Sequence, residues 1–368
     1  MRWDEQRVEN DLRLPGVGDG TVVRTFDAPE AMGINFHEVR ARSALNHVPG
    51  DRYGFSWTIN PYRGCTHACL YCFARRTHVY LDMNAGRDFE REIVVKVNLP
   101  ELLRGELARP SWKRELVALG TNTDPYQWVE SRYRMMPEIL AALAAARTPV
   151  SVLTKSPLVM RDVERFERMR DAGLKVSVNL SVPTLDEEAW RATEPHTPSP
   201  SARLDAVAEL RRRGIDSGVL VAPLMPGIND SPEQVEPILE RARAAGATFL
   251  GGVALHLRDE VKDVFYAWLA AKRPDLLPKY ESLYGPRAYL RPEQRKHATR
   301  AVRGWGSPKM RSARTHGSSK REGGAPSNGS SRAPGSDSSR ASSARDAAPA
   351  GAAPRAGGAV GGTTPCGS

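Results

Sequence analysis

Cysteine is scarce in this sequence: four occur in 368 residues, three of them at Cys65, Cys69 and Cys72 and the last alone at Cys366. A disulfide framework would spread its cysteines to staple distant segments. A tight cluster points instead to metal or redox chemistry in a reducing compartment. Long hydrophobic runs are missing too. No stretch of about 18 apolar residues occurs, which argues against a membrane span. The charged opening Met1-Arg2-Trp3-Asp4-Glu5-Gln6-Arg7 lacks the apolar stretch of a secretory signal. The expectation is a cytoplasmic protein with no membrane partner. Bulky apolar residues all but vanish after Trp305, where Ser, Gly, Ala, Pro and Arg dominate and Val360 stands isolated. Such a segment buries too little surface to offset its ordering entropy, so residues 306–368 are expected to be a disordered tail.

Charge is unevenly placed. The formal net charge is +10, and from Ser307 to Ser368 nine Lys and Arg face three Asp and Glu, a net of +6. The rest of the chain is only mildly basic. A basic tail can hold nucleic acid loosely by counterion release, or it can be a solubilising appendage. Both readings stay open.

What is present in quantity is an alternation of short β-rich runs with amphipathic helical runs between about Phe55 and Leu257. Strands are expected at Phe55–Asn60, Glu115–Gly120, Pro149–Thr154, Leu174–Val182, Ile215–Ala222 and Thr248–His256. Pro157–Ala172 puts Val159, Val163, Phe166 and Met169 on one helical face and stops at Gly173. Leu204, Val207 and Leu210 stripe a later helix that ends at Gly214. Ser231 with Gln234 reads as a capping box, after which Val235, Ile238 and Leu239 turn inward until Gly246. Six such units predict an α/β fold that curls into a partial or full barrel with right-handed crossovers; an open doubly wound sheet is the alternative. The expected organisation is an irregular N-terminal extension over 1–50, a barrel over 51–257, a helical extension over 258–305 and the tail.

The segment Asn60-Pro61-Tyr62-Arg63-Gly64-Cys65-Thr66-His67-Ala68-Cys69-Leu70-Tyr71-Cys72 follows the first strand. Loops after strands form the active face of a βα barrel. Pro61 and Gly64 supply the turn that lets three thiolates wrap one soft-metal site. A cluster used purely for electron transfer normally takes four cysteines, so three leave one iron open to a ligand. A zinc site completed by His67 or His78 is the alternative, although no second cysteine pair follows as zinc knuckles usually require. Polar residues gather at later strand ends: Gly120-Thr121-Asn122-Thr123-Asp124, Thr154-Lys155, and the stripe Ser177, Asn179, Ser181 on a strand whose other face is Val176, Val178, Leu180 and Val182. Lys155 can equally be a solvated loop lysine, and His256 a structural histidine. The sequence singles out no catalytic residue.

Cys65-x3-Cys69-x2-Cys72, with Tyr71 before the third cysteine, resembles the radical S-adenosylmethionine enzymes. Asn60–Cys65 together with Thr123-Asp124-Pro125-Tyr126-Gln127 is similar to the branch related to spore photoproduct lyase, over roughly Trp57–Leu257. The resemblance implies a partial (β/α)6 barrel carrying a 4Fe–4S cluster on Cys65, Cys69 and Cys72. It also implies S-adenosylmethionine chelating the open iron, cleaved to a 5′-deoxyadenosyl radical that abstracts hydrogen from an unidentified substrate. It places Tyr71, Thr123, Asp124, Lys155, Ser177, Asn179 and Ser181 around S-adenosylmethionine. Pro223–Asp230 falls against the adenosine, and a low-potential donor such as flavodoxin or ferredoxin supplies the electron. One departure stands out. Where photoproduct lyases carry a hydrogen-donating cysteine near the end of the second strand, this chain has Thr121, and a threonine hydroxyl cannot donate hydrogen to a carbon radical as a thiol does. The competing readings are a zinc-stabilised nucleic-acid-binding protein and a non-catalytic iron–sulfur protein.

Overall fold

The computed structural model describes residues 21–50 and 54–303, and the backbone alone of residues 6–9. The tail, including Cys366, lies outside them. In chain order the strands are β1 (Gln6–Glu9), β2 (Val22–Phe26), β3 (Asn35–Val39), β4 (Leu45–His47), β5 (Trp57–Ile59), β6 (Tyr62–Arg63), β7 (Glu92–Lys96), β8 (Val117–Leu119), β9 (Val150–Thr154), β10 (Val176–Ser181), β11 (Gly218–Leu224) and β12 (Phe249–Ala254).

Six of them form a parallel sheet in the sequential order β5-β8-β9-β10-β11-β12, with β4 antiparallel on the outer edge of β5. These are the six strands expected from the sequence. No pairing among the described residues joins β12 back to β4 or β5, so the sheet is an open arc rather than a closed barrel or a doubly wound sheet with reversed strand order. Strict alternation sets the orientation of β10. Val176, Val178, Leu180 and Val182 are buried in the main core against the helices, which leaves Ser177, Asn179 and Ser181 on the inner face. Helices Pro200–Arg212 and Pro232–Ala244 cover the outer side, and Leu204, Val207, Leu210, Val235, Ile238 and Leu239 pack there as their periodicity requires. The segment after β9 begins as a 3-10 turn, Pro157–Asp162, before the α-helix Val163–Asp171. Ser231 occupies the N-cap position of Pro232–Ala244 but makes no side-chain cap bond, and the Gln234 amide, the other half of the expected box, donates to the Ile228 carbonyl at 2.8 Å.

The N-terminal segment corrects the expectation of irregular structure. It builds a second, mixed sheet in the order β1-β2-β3-β7-β6, in which β7 pairs parallel with β3 and antiparallel with β6. One face of this sheet supplies Phe26, Phe36, Tyr62, Ile93 and Val95 to the main core. Phe26 and Phe36 meet edge to face at 5.1 Å, and Trp128 packs on both at 5.9 Å. After β12, helices Glu260–Lys272, Leu277–Tyr284 and Pro292–Ala298 enclose a smaller core of Val261, Phe265, Leu269, Tyr280 and Tyr284. None of the described helices is long and apolar enough to cross a membrane.

Candidate functional site

The loop Gly64–Cys72 turns back across the carboxyl ends of the parallel strands and is tied at several points. Cys65 N donates to the Phe89 carbonyl at 3.0 Å, and Leu70 N to the Thr193 carbonyl at 3.0 Å. Arg75, 1% exposed, threads its guanidinium through the loop, reaching the carbonyls of Ala68 and Cys69 at 2.9 Å, Ala85 at 3.0 Å and Gly86 at 2.7 Å. From the segment after β8, Gln127 accepts from Thr66 N at 2.8 Å and donates to the Gly64 carbonyl at 3.1 Å. Thr123 Oγ1 donates to the same carbonyl at 2.7 Å while accepting from Gln127 at 2.9 Å. Gly120 lets β8 come this close to β9: its φ is +88°, and a Cβ there would stand 1.8 Å from the Leu153 carbonyl oxygen.

These elements surround a cavity of about 250 Å³ lined by Cys65, Cys69, Cys72, Thr121, Thr123, Asp124, Lys155 and Ser181, with Tyr71, Phe73 and His256 at its sides. Of the residues the sequence points to, Ser177 and Asn179 are not among its lining. Ser177 sits deeper on β10, its hydroxyl on Ser151 Oγ at 2.9 Å, and Asn179 pairs in register with Leu153, which does line the cavity.

Two buried carboxylates organise the walls. Asp124 Oδ1 accepts from Tyr126 N at 2.9 Å and Thr154 Oγ1 at 2.6 Å, and Oδ2 from Lys155 N at 2.7 Å. Burial alone would raise its carboxyl, but the His67 ring, 3.4 Å from Oδ2, and these donors outweigh burial and hold it below the ordinary range. Glu194, fully buried, is the residue that sequence reasoning misses. It joins Lys155 at 2.7 Å and Arg203 at 2.7 Å and accepts from the Tyr71 hydroxyl. Burial pushes its carboxyl up, and the two cations overcome that push to bring it down to about 2. Lys155 Nζ also donates to Ser181 Oγ at 2.8 Å and lies 5.6 Å from the centre of the Tyr71 ring. Lys155 is therefore no solvated loop lysine but one arm of a network with a net charge of one cation. Arg75 and Glu194 give no sequence signal, since their partners are loop carbonyls and distant side chains.

The three thiols suit a metal cluster. Burial raises all three above the ordinary thiol range, Cys69 to about 12, so they stay protonated until a metal displaces the protons. They line one cavity, yet no three His, Cys, Asp or Glu side chains among the described residues converge on a single-ion position. A metal centre held by these thiols would sit in that cavity. The polar strand ends opposite fit a small polar cofactor beside it.

Comparison with known proteins agrees with this geometry. The Radical SAM superfamily model matches residues 59–242. An uncharacterised protein of Mycobacterium tuberculosis is 47% identical over 303 residues, covering 80% of this chain and 88% of that one. A radical SAM Nalpha-GlyT isomerase of Pseudomonas phage M6 is 24% identical, covering 61% of this chain and 42% of that one. Among solved structures, a spore photoproduct lyase complexed with dinucleoside spore photoproduct shares the fold with a TM-score of 0.56 at 16% identity, over 76% of this chain and 82% of that one. The superfamily model spans half of the chain, and on that match the chain belongs to the radical SAM superfamily.

Proposed function

We propose that the chain is a radical S-adenosylmethionine enzyme in which Cys65, Cys69 and Cys72 hold a 4Fe–4S cluster and the opposite wall holds S-adenosylmethionine. The observation that carries this reading is the meeting of three thiols, those of Cys65 and Cys69 buried and that of Cys72 half-buried, with the Lys155–Ser181–Glu194 network across one cavity. A bound cluster would supply the electron that cleaves the sulfonium reductively. The protein's own part is placement. Lys155 offers the methionine carboxylate an ammonium already fixed by Glu194 and Ser181. Asp124, with both oxygens engaged by Thr154, Tyr126 and Lys155, sets the Thr154–Lys155 turn and offers the methionine amine a carboxylate that stays ionised when buried. Tyr71 anchors the cysteine loop to Glu194 through its hydroxyl. Reductive cleavage in the assay below, with loss in the cysteine variants, tests this reading.

The substrate class we infer is a nucleobase or nucleoside. Phe73 and Tyr289, 43% and 49% exposed, flank the half-buried His256 at ring distances of 5.7 and 5.4 Å at the cavity mouth. Burial, with Arg258 adding to it, lowers His256, so the ring is neutral and stacks as an aromatic. Such ladders receive bases by stacking. The dinucleoside bound by the spore photoproduct lyase supports the same class. The outcome differs from photoproduct repair, however, because Thr121 lines the cavity and the described residues hold no cysteine beyond the three. The test is loss of oligonucleotide processing in Tyr289→Ala with deoxyadenosine formation retained.

A further inference from the structure

β6 and β7 run antiparallel with Tyr62 opposite Val95 and Arg63 opposite Val94. Side chains alternate across a strand. Burial of Tyr62 and Val95 in the main core therefore sends Arg63, Val94 and Lys96 to the other face of the mixed sheet. Arg63 and Lys96 are diagonal neighbours there, and both are half-buried. Among the described residues the Arg63 guanidinium has neither a hydrogen bond nor an ion pair. Lys96 Nζ donates to one partner, the Asn60 carbonyl, at 2.9 Å.

No described neighbour supplies the missing negative charge. Glu92, diagonal to Arg63 on the other side, is held by His37 at 2.6 Å and by Asn35 at 2.9 Å. His78 donates toward or accepts from no carboxylate; its ring meets the Glu92 carbonyl at 2.8 Å. Three other inward-turned cations do have carboxylates: Arg75 has Glu90 at 3.7 Å, and Lys155 and Arg203 have Glu194 at 2.7 Å. Burial, with the Arg63 charge adding to it, lowers Lys96 to about 8, the sign of a cation lacking its counter-charge.

Two like charges held together and partly out of water repel each other and lose hydration, and an anion relieves both costs. The arginine fork matches two oxygens of a tetrahedral anion, and the ammonium meets a third as a point charge. A phosphate monoester carries close to two negative charges at neutral pH and balances both cations, whereas a carboxylate balances one. We propose that Arg63 and Lys96 form a binding site for a phosphate-monoester group on the outer face of the mixed sheet, apart from the cysteine-lined cavity, which neither residue lines. The ligand is free phosphate or the phosphorylated end of a nucleotide.

Calorimetric titration of the full chain with inorganic phosphate, a 5′-phosphorylated dinucleotide and its unphosphorylated twin tests the site, and needs no cluster chemistry. Binding of the phosphate ion, of the phosphorylated dinucleotide or of both is expected, with the twin clearly weaker. Arg63→Gln and Lys96→Gln should each weaken it about ten- to a hundredfold, as loss of a charge-assisted contact does. The exposed Lys272→Gln should leave it unchanged. Circular dichroism identifies any variant that does not fold, and Lys96→Gln, farther from the cysteine loop, then carries the test. Absence of binding by both phosphate ligands, equal affinity for the twin, or affinity indifferent to both substitutions would overturn the proposal.

Discussion

The parallel and mixed sheets place their polar residues differently. In the parallel sheet, Thr154, Lys155 and Ser181 stand at carboxyl ends of neighbouring strands and are cross-linked through Asp124 and Glu194, whose own positions lie in loops. In the mixed sheet, the Arg24–Glu38 ion pair and the His37–Glu92 hydrogen bond join neighbouring strands along their length, and Tyr133 secures Glu38 from a helix at 2.9 Å. The first arrangement holds charge at the end of a cavity, where a ligand can meet it. The second fastens one strand to the next. The difference teaches that burial of polar groups alone does not mark chemistry; convergence at strand ends does.

Variants in the two sheets should therefore fail in different ways. The largest effect is expected from Cys65→Ala, Cys69→Ala or Cys72→Ala. Each should reduce iron from about four per chain to near none after anaerobic reconstitution, measured by iron and labile-sulfide analysis. Phe36→Ala in the mixed sheet should leave the iron content intact.

Next come two variants of similar cost and different consequence. Glu194→Ala strands Lys155 and Arg203 without their carboxylate and should lower stability by about 3–5 kcal/mol in denaturant titration. Phe36→Ala should lower it by about 3–5 kcal/mol through the cavity it leaves. Only the first should also impair S-adenosylmethionine binding. Equal impairment by both would erase the distinction between the sheets.

Acid should act through the parallel sheet as well. The Glu194 carboxyl falls from an ordinary 4.5 to about 2 in the folded chain. A depressed carboxyl contributes stability that is fully present above the unfolded value and is lost as pH falls from there toward the folded one. Melting temperature should thus decline below about pH 4.5 in the wild type, and this part of the decline should vanish in Glu194→Gln.

The smallest effect is expected from Ser177→Ala. It removes one hydroxyl pair with Ser151, worth about 0.5–1.5 kcal/mol, and should leave S-adenosylmethionine affinity unchanged, since Ser177 does not line the cavity.

Legibility in the sequence follows the same division. The six parallel strands can be read because each has a self-contained pattern, as in the alternation Val176-Ser177-Val178-Asn179-Leu180-Ser181, and because glycines mark the helix ends between them. The cysteine loop can be read because its three thiols are neighbours in sequence. The mixed sheet cannot be read this way. Its strands come from either side of β5, and β3 with β7 joins segments more than fifty residues apart whose pairing no local pattern encodes. Glu194 escapes for the same reason: its partners Tyr71 and Lys155 are far away in sequence, and a glutamate near a helix end resembles any solvated one. The Ser231–Gln234 pair shows the converse: the signature marks the helix start correctly, yet Ser231 makes no cap bond and Gln234 bonds the Ile228 carbonyl.

The central claim is that the cysteine loop and the Lys155–Glu194 wall act together on S-adenosylmethionine. Electron paramagnetic resonance of the reduced, reconstituted chain, recorded with and without S-adenosylmethionine and followed by assay for 5′-deoxyadenosine, tests it most directly. The account predicts a changed cluster spectrum and slow deoxyadenosine release even without substrate. An unchanged spectrum at saturating S-adenosylmethionine, with no deoxyadenosine formed, would contradict it.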